Sequence, residues 1–476
     1  MRSITVRERL RAVAAALALP LAGAGPAVAA EKTFEQEILD ILRRDGTITE
    51  EQYEDLEAKA KAERATQEKP AAAAQKTPAV SAGEEDPKGY KVKWKNSLQI
   101  KRNDGNVKLK LGGRIQGDFA SIWPGDSLAT IDGSGTYAGK EAVEFRRARL
   151  YFSGELYKRL VFKAQYDFAG GDADFNDVYI GLKDLGYAGT VLLGHQKEPF
   201  SLEELTSSKY ITFMERSLPS VFDSSRNFGL TSYNHVLDER MTYALGIYAP
   251  TDGFGEWESN DTEFNLTGRV TGVPWWQEDG RKFLHLGLSA SYQFRKQSSR
   301  SISQSPESHL AEDYLDTGTF QSDGNTLLAA EIALVHGPFS LQSEWKQGWQ
   351  QVVGGSTSSP RGAYVYASYF ITGENRVYNP KRGVFARVTP TNSFDPKDGK
   401  WGAWEVAVRY SWLDLNDKSL NGGEEQNVTA GLNWYLWSNL RMMLNYVYAD
   451  LKDTGSVLGN RSGDIHIVQT RAAIEF

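Results

Sequence analysis

The sequence predicts an all-β fold: a transmembrane antiparallel β-barrel of about 16 strands, preceded by a short helical, coiled-coil-like hairpin. Three observations carry this. Over residues 91–476, sixteen segments alternate apolar and polar residues with a period of two, as strands with two different faces do. Their connections alternate in length. Tyr157-Lys158-Arg159, Leu237-Asp238-Glu239, His336-Gly337-Pro338 and Trp437-Ser438-Asn439 are short, whereas 123–143, 197–227, 297–325 and 451–463 are long. That asymmetry marks barrels of the outer membrane. Aromatics gather near segment ends (Trp123, Tyr151, Trp275, Trp276, Trp401, Trp404, Trp412, Tyr435, Trp437, Tyr448), where the girdles at the two membrane surfaces lie.

Alternation alone does not separate a membrane barrel from a soluble one, but size does. Sixteen strands enclose a lumen too wide for side chains to fill, so an apolar interior would stand empty. A polar, wet interior with an apolar exterior has no such difficulty. The chain also ends in an alternating strand, Val468-Gln469-Thr470-Arg471-Ala472-Ala473-Ile474-Glu475-Phe476, whose terminal Phe resembles the recognition signal of outer-membrane barrels.

Taken in order, residues 1–30 read as a secretory signal. Arg2, Arg7, Arg9 and Arg11 are followed by an apolar run and by small residues that suit cleavage, and the run is too short to span a membrane as a helix. The chain has no cysteine, which removes any disulfide framework. Residues 31–65 read as a periplasmic helical hairpin. Thr33 with Gln36 is a capping box, Asp45-Gly46 stops the first helix, and Thr49 with Gln52 opens the second. Each helix is too short to stand alone, so the pair docks on itself or self-associates. Residues 66–90 are a Pro/Ala-rich linker without apolar period. The barrel then occupies 91–476.

If the apolar positions face lipid, the others face the lumen. That places Lys108, Lys110, Arg114, Gln116 and Asp118 inside, with Arg147, Arg149, Tyr151, Ser153 and Glu155 on the next strand. Lys163, Gln165, Asp167, Arg441, Asn445, Gln469, Arg471 and Glu475 follow by the same rule. Closure makes the last strand a neighbour of the first, so Lys108, Lys110, Arg114, Arg147, Arg149, Lys163, Arg441 and Arg471 form one basic wall on an anion pathway. Arg146 and Lys158 read as rim residues, and Arg269 and Arg409 as inward but elsewhere. Taken singly, each arginine is as well explained by a structural ion pair.

The connection 197–227, KEPFSLEELTSSKYITFMERSLPSVFDSSRN, is too long for a turn and too apolar for a solvated loop. It reads as an inward-folded constriction loop that packs its apolar residues on the inner wall. Glu203, Glu204, Lys209 and Arg216 remain for the passage, with Glu203 and Glu204 opposite the basic wall or simply solvated. The connection 373–400 breaks the short-turn rule and carries Arg376, Lys381, Arg382 and Arg387. It either enters the lumen or packs on the rim.

GGRIQGDF, EFRRARLYFSGEL, FNDVYIGL, GHQKEPFSLEELTSSKYITFMERSLP, NFGL, ITGENRVYNP, GAWEVAVRYSWLDL and LNWYLWSNLRMMLNYVY, with the terminal strand, resemble the phosphate-selective porin O/P family. KEPFSLEELTSS and GAWEVAVRYS are the most specific blocks. The resemblance implies a sixteen-stranded homotrimer in the outer membrane of a Gram-negative-type cell, with the third loop folded into the lumen. An additional loop and a periplasmic turn also enter the pore in members of that family.

The function expected is therefore a water-filled porin for passive diffusion of small anionic or polar solutes, phosphate among them. The alternative is a barrel anchor that tethers the outer membrane to the cell wall through the N-terminal helices. Residues 91–476 hold 41 Lys and Arg against 45 Asp and Glu, so the barrel is not basic as a whole. A net charge of −7 lacks the basic footprint of a nucleic-acid binder. There is no Gly-x-Ser-x-Gly elbow and no His pair spaced for a metal, so no enzyme, cofactor or metal is expected.

Overall fold

The computed structural model describes Tyr53 and residues 87–476, apart from 129–130, 133–134, 137–138, 260 and 457–458. The expected signal (1–30), helical hairpin (31–65) and linker (66–90) lie outside the described residues, except Tyr53, which is helical, and 87–90. The described residues from 87 onward belong to one compact unit, a closed barrel.

A hairpin of β1 (Tyr90–Trp94) and β2 (Leu98–Arg102) comes first. The barrel strands are β3 (Val107–Pro124), β4 (Lys140–Leu156), β5 (Leu160–Asp167), β6 (Asp174–Leu182), β7 (Thr190–Lys197), β8 (Arg226–Val236), β9 (Met241–Ala249) and β10 (Phe264–Gln277). They continue as β11 (Lys282–Arg300), β12 (Phe320–His336), β13 (Phe339–Val352), β14 (Arg361–Phe370), β15 (Ala403–Asp417), β16 (Leu420–Trp437), β17 (Leu440–Asp453) and β18 (Gly463–Glu475). Each pairs antiparallel with its successor, and β18 pairs with β3 from Ile465 opposite Pro124 to Glu475 opposite Arg114. These are the sixteen strands expected from the alternation. Several run further than the alternation does. β12 begins at Phe320 and β16 at Leu420, because polar ribbon outside the apolar belt pairs just as well without a sidedness to display. β1 and β2 were not anticipated; β2 pairs with the first residues of β3.

The faces follow the pleat. Val143, Phe145, Ile180, Leu245 and Val408 are exposed on the outside, while Gln116, Asn265, Thr267, Glu331, Asn427 and Asn445 are buried inside. The seam of the barrel is tight. Gly113 and Phe476 exchange backbone hydrogen bonds of 2.6 and 3.1 Å. A Cβ at Gly113 would lie 2.6 Å from the Arg149 carbonyl and 2.7 Å from the Phe476 ring, and one at Gly112 would lie 2.4 Å from the Phe476 carbonyl. Only glycine lets the terminal residue close here.

Three connections fill much of the lumen, and the buried apolar clusters lie under them. Residues 198–225 contain a short helix, Leu202–Leu205, capped by Ser201 Oγ, and a 3-10 turn, Leu218–Phe222. Phe200, Leu202, Phe213, Met214 and Leu218 of this loop are buried, as an apolar segment inside a polar tube must arrange. Residues 301–319 send Glu307 down to the Ser411 and Thr429 hydroxyls and to Arg409 Nη2 at 2.6 Å. Of the two readings open for 373–400, the structure has the lumen. Tyr378 Oη meets His285 Nδ1 at 2.6 Å, the Gly383 carbonyl accepts from Arg269 at 2.9 Å, and Phe385 N–H donates to Thr206 Oγ1 of the first loop at 3.3 Å.

Candidate functional site

Strands β3 to β7 and the loop 198–225 enclose a cavity of about 660 Å³. Its wall carries eleven lysines and arginines but only two acids, Asp177 and Glu204. Of the residues expected on the pathway, Lys110, Arg114, Arg147, Arg149 and Lys163 meet here, with Lys209 and Arg216 of the loop.

The pairing is unequal. Asp177 serves both Lys163 (2.5 Å) and Arg226 (2.6 Å). Glu204 serves both Lys197 (2.7 Å) and Arg216 (3.0 Å). Arg149 holds Asp167 at 2.5 Å, and Arg146 holds Glu215 at 3.0 Å. Among the described residues Arg114 donates to Ser208 Oγ, at 2.8 Å, and Arg147 to Gln116 at 3.1 Å, with Glu215 more distant at 3.8 Å. The Nε of Arg114 and of Arg147 are buried without a hydrogen-bond partner among the described residues. Arg382 of the third inward segment lies over the Tyr233 ring at 4.2 Å. Where one carboxylate answers two cations, the wall keeps a net positive charge.

The loop carboxylates are firmly ionised. Burial opposes the charge on Glu204, but Arg216 and Lys197 outweigh it and lower its pKa to about 2. Glu215 is also disfavoured by burial, yet Arg146, Arg471 and Arg147 hold it well below the ordinary range. Burial works against charge on Arg216, and Glu204 with Glu203 more than restores it, so its pKa is raised.

The other expected residues lie elsewhere. Arg471 is fully buried, held by Asp118 at 2.6 and 2.7 Å and by Glu215 at 2.6 Å. Arg441 donates to the Ile211 carbonyl at 2.9 Å. Both therefore grip the loop 198–225 rather than the cavity. Lys108 reaches Glu155 at 2.7 Å at the start of β3, a carboxylate it shares with Lys183. Glu203, expected either opposite the basic wall or solvated, is in neither place: it is buried and turned to the other side of the lumen. Its carboxylate accepts from Ser217 N–H and Oγ and lies 3.5 Å from Arg409, because a loop crossing the lumen must anchor its polar groups on the far wall.

Several lining residues escaped the sequence reading. Arg146 was placed at the rim, yet it lines the cavity beside Arg147. A β-bulge explains it: Gln116 pairs with Arg147 and Gly117 with Phe145, so Arg146 is the extra residue and strict alternation lapses. The Arg146-Arg147 doublet, two charges in succession in an alternating strand, was the available signal. Lys197 and Arg226 flank the loop, at the last rung between β7 and β8.

A sequence profile described as phosphate-selective porin O and P matches residues 109–476. An uncharacterized protein of Caulobacter vibrioides is 26% identical over 401 residues, covering 81% of this chain and 77% of that protein. Porin O of Pseudomonas aeruginosa is 23% identical over 412 residues, covering 78% of this chain and 90% of that protein. Among solved structures, an anion-selective porin from Comamonas acidovorans is similar over 78% of this chain and 100% of its own, with 14% identity and a TM-score of 0.49. The outer membrane channel DcaP of Acinetobacter baumannii is similar over 78% and 98%, with 13% identity and a TM-score of 0.49.

Proposed function

Since the chain belongs to the phosphate-selective porin O and P family, whose members are outer-membrane channels, we propose that it is a diffusion channel favouring small anions, phosphate among them. The observation that carries this reading is the cavity between β3–β7 and the loop 198–225, with eleven cationic side chains against two acids. Water around a passing anion is replaced there by fixed donors that need no reorganisation. Lys110, Arg114, Arg147, Arg149 and Lys163 supply the strand side of this wall, and Lys209 and Arg216 the loop side. A potential of roughly 1 kcal/mol in favour of an anion at the narrowest point enriches it about fivefold. Glu204 tunes the wall, since its ionised carboxylate offsets part of the charge of Lys197 and Arg216. Arg441, Arg471 and Glu203 act indirectly, by holding the loop.

The same reading gives a homotrimer with its N-terminal helices in the periplasm. Single-channel recording of the reconstituted full chain tests the function. The zero-current potential in a potassium chloride gradient should show anion preference, and added phosphate should reduce the chloride current. Cation preference would remove the anion reading. Anion preference without any effect of phosphate would leave a general anion channel.

A further inference from the structure

The hairpin β1–β2 lies outside the closed barrel, and none of its residues lines the cavity described above. Its register fixes what its faces do. Trp94 stands opposite Leu98, which stands opposite Leu111 of β3; Val92 stands opposite Ile100, which stands opposite Leu109. Directly paired residues project from the same face of a sheet. Leu109 and Leu111 belong to the outer, apolar face of the barrel wall, so Val92, Trp94, Leu98 and Ile100 continue that face beyond the barrel. Lys91, Lys93 and Lys101 project from the opposite face.

Val92 is 64% exposed and Trp94 63%. The tip of the hairpin touches the barrel, Ser438 Oγ lying 3.0 Å from Asn96 Oδ1, in the short turn after Trp437. Trp437 belongs to an aromatic group with Phe394, Trp401 and Trp434, packed edge to face on the outside of the same rim at ring separations of 5.4 to 5.8 Å. The apolar face of the hairpin is thus continuous both with the lipid-facing wall and with an aromatic girdle. Aromatic residues with a polar atom favour the headgroup level.

We propose that the outer face of Tyr90–Arg102 is seated in the headgroup region of the leaflet on the short-turn side, with phospholipid as its occupant. The hairpin is then a membrane-surface anchor rather than the end of a water-exposed linker. This rests on the membrane placement of the barrel and is independent of its solute preference.

The absence of cysteine makes the test clean, because one introduced thiol reports alone. Nitroxide labels are attached to the full chain at Val92→Cys, Lys93→Cys and, on the outer barrel wall, Val408→Cys. The protein is reconstituted in vesicles of phosphatidylethanolamine and phosphatidylglycerol. Relaxation by oxygen, which partitions into lipid, is compared with relaxation by a water-soluble nickel chelate. The label at Val92 should follow the one at Val408, relaxed by oxygen and protected from nickel, while the label at Lys93 should respond to nickel. Equal nickel relaxation at Val92 and Lys93 would overturn the proposal in favour of an exposed ribbon. Protection of Val92 from both reagents would overturn it in favour of a protein cover, such as a second copy of the chain.

Discussion

On the wall of β3 to β7, one carboxylate commonly answers two cations: Asp177 holds Lys163 and Arg226, and Glu204 holds Lys197 and Arg216. Across the lumen, on β12 to β16, the proportion is reversed. Glu344 accepts the Leu202 and Glu203 N–H groups (3.1 and 2.7 Å) and Tyr364 Oη (2.6 Å). Glu405 accepts from Asn433 and Tyr435. Lys346 is matched by Asp223 of the loop at 2.5 Å, and Glu331 by Arg269 of β10 at 2.7 Å and His285 of β11 at 3.1 Å. The first region lines a cavity and keeps positive charge; in the second, Glu344 and Glu405 are buried and accept from neutral donors of the loop 198–225 and of neighbouring strands. The difference explains how a barrel with slightly more acids than bases can present a basic passage. Distribution and pairing set the field at the constriction, and total charge does not.

The comparison breaks most visibly on the packed side. Glu344→Ala leaves two buried N–H groups and a tyrosine hydroxyl without their acceptor. It should cost roughly 3 kcal/mol of stability. Thermal unfolding in detergent and protease cleavage within 198–225 measure this; an unchanged loop would show that the carboxylate is not its anchor.

Next is the seam that keeps both regions in one closed wall. Gly113→Val drives a side chain into Phe476 and the Arg149 carbonyl and should cost about 2 kcal/mol. The readout is the fraction of chain that migrates as folded barrel on an unheated gel.

Acid sharpens the open side. Glu204 has a folded pKa of about 2, below its ordinary value of 4.5, so its contribution is complete above pH 4.5 and is lost as pH falls toward 2. Protonation frees Lys197 and Arg216. Between pH 4.5 and pH 2, anion preference should rise and current noise from the loop should increase; a Glu204→Gln channel should show less of this change.

The smallest effect on stability belongs to Lys110→Gln. Lys110 lines the cavity, is itself exposed, and makes no ion pair among the described residues. Stability should stay within about 0.5 kcal/mol, while anion preference falls measurably.

Much of the architecture was legible because a barrel wall is a two-sided object. Each strand must show lipid an apolar face, and the alternation through Val107, Leu109, Leu111 and Ile115 records it directly. The hairpin β1–β2 was missed because it is short and rich in lysine. The inward course of 301–319 left no mark either: its main anchor is one carboxylate, Glu307, among many polar residues. At the candidate site, period two placed Lys110, Arg114, Arg147 and Arg149 on the inner face. It could not register the bulge that adds Arg146, nor tell a cation that lines space from one, like Arg471, already enclosed by acids. Those distinctions depend on which loop crosses the lumen and where its backbone needs donors.

The most direct test of the one-sided basic wall is the zero-current potential of the double variant Lys110→Glu/Arg114→Glu in a potassium chloride gradient, against the unaltered channel. With two charges reversed at the cavity, the account predicts that the anion-to-cation permeability ratio falls about tenfold or more and that the potential moves toward cation preference. A potential that stays where it was, in a variant with normal conductance, would contradict it.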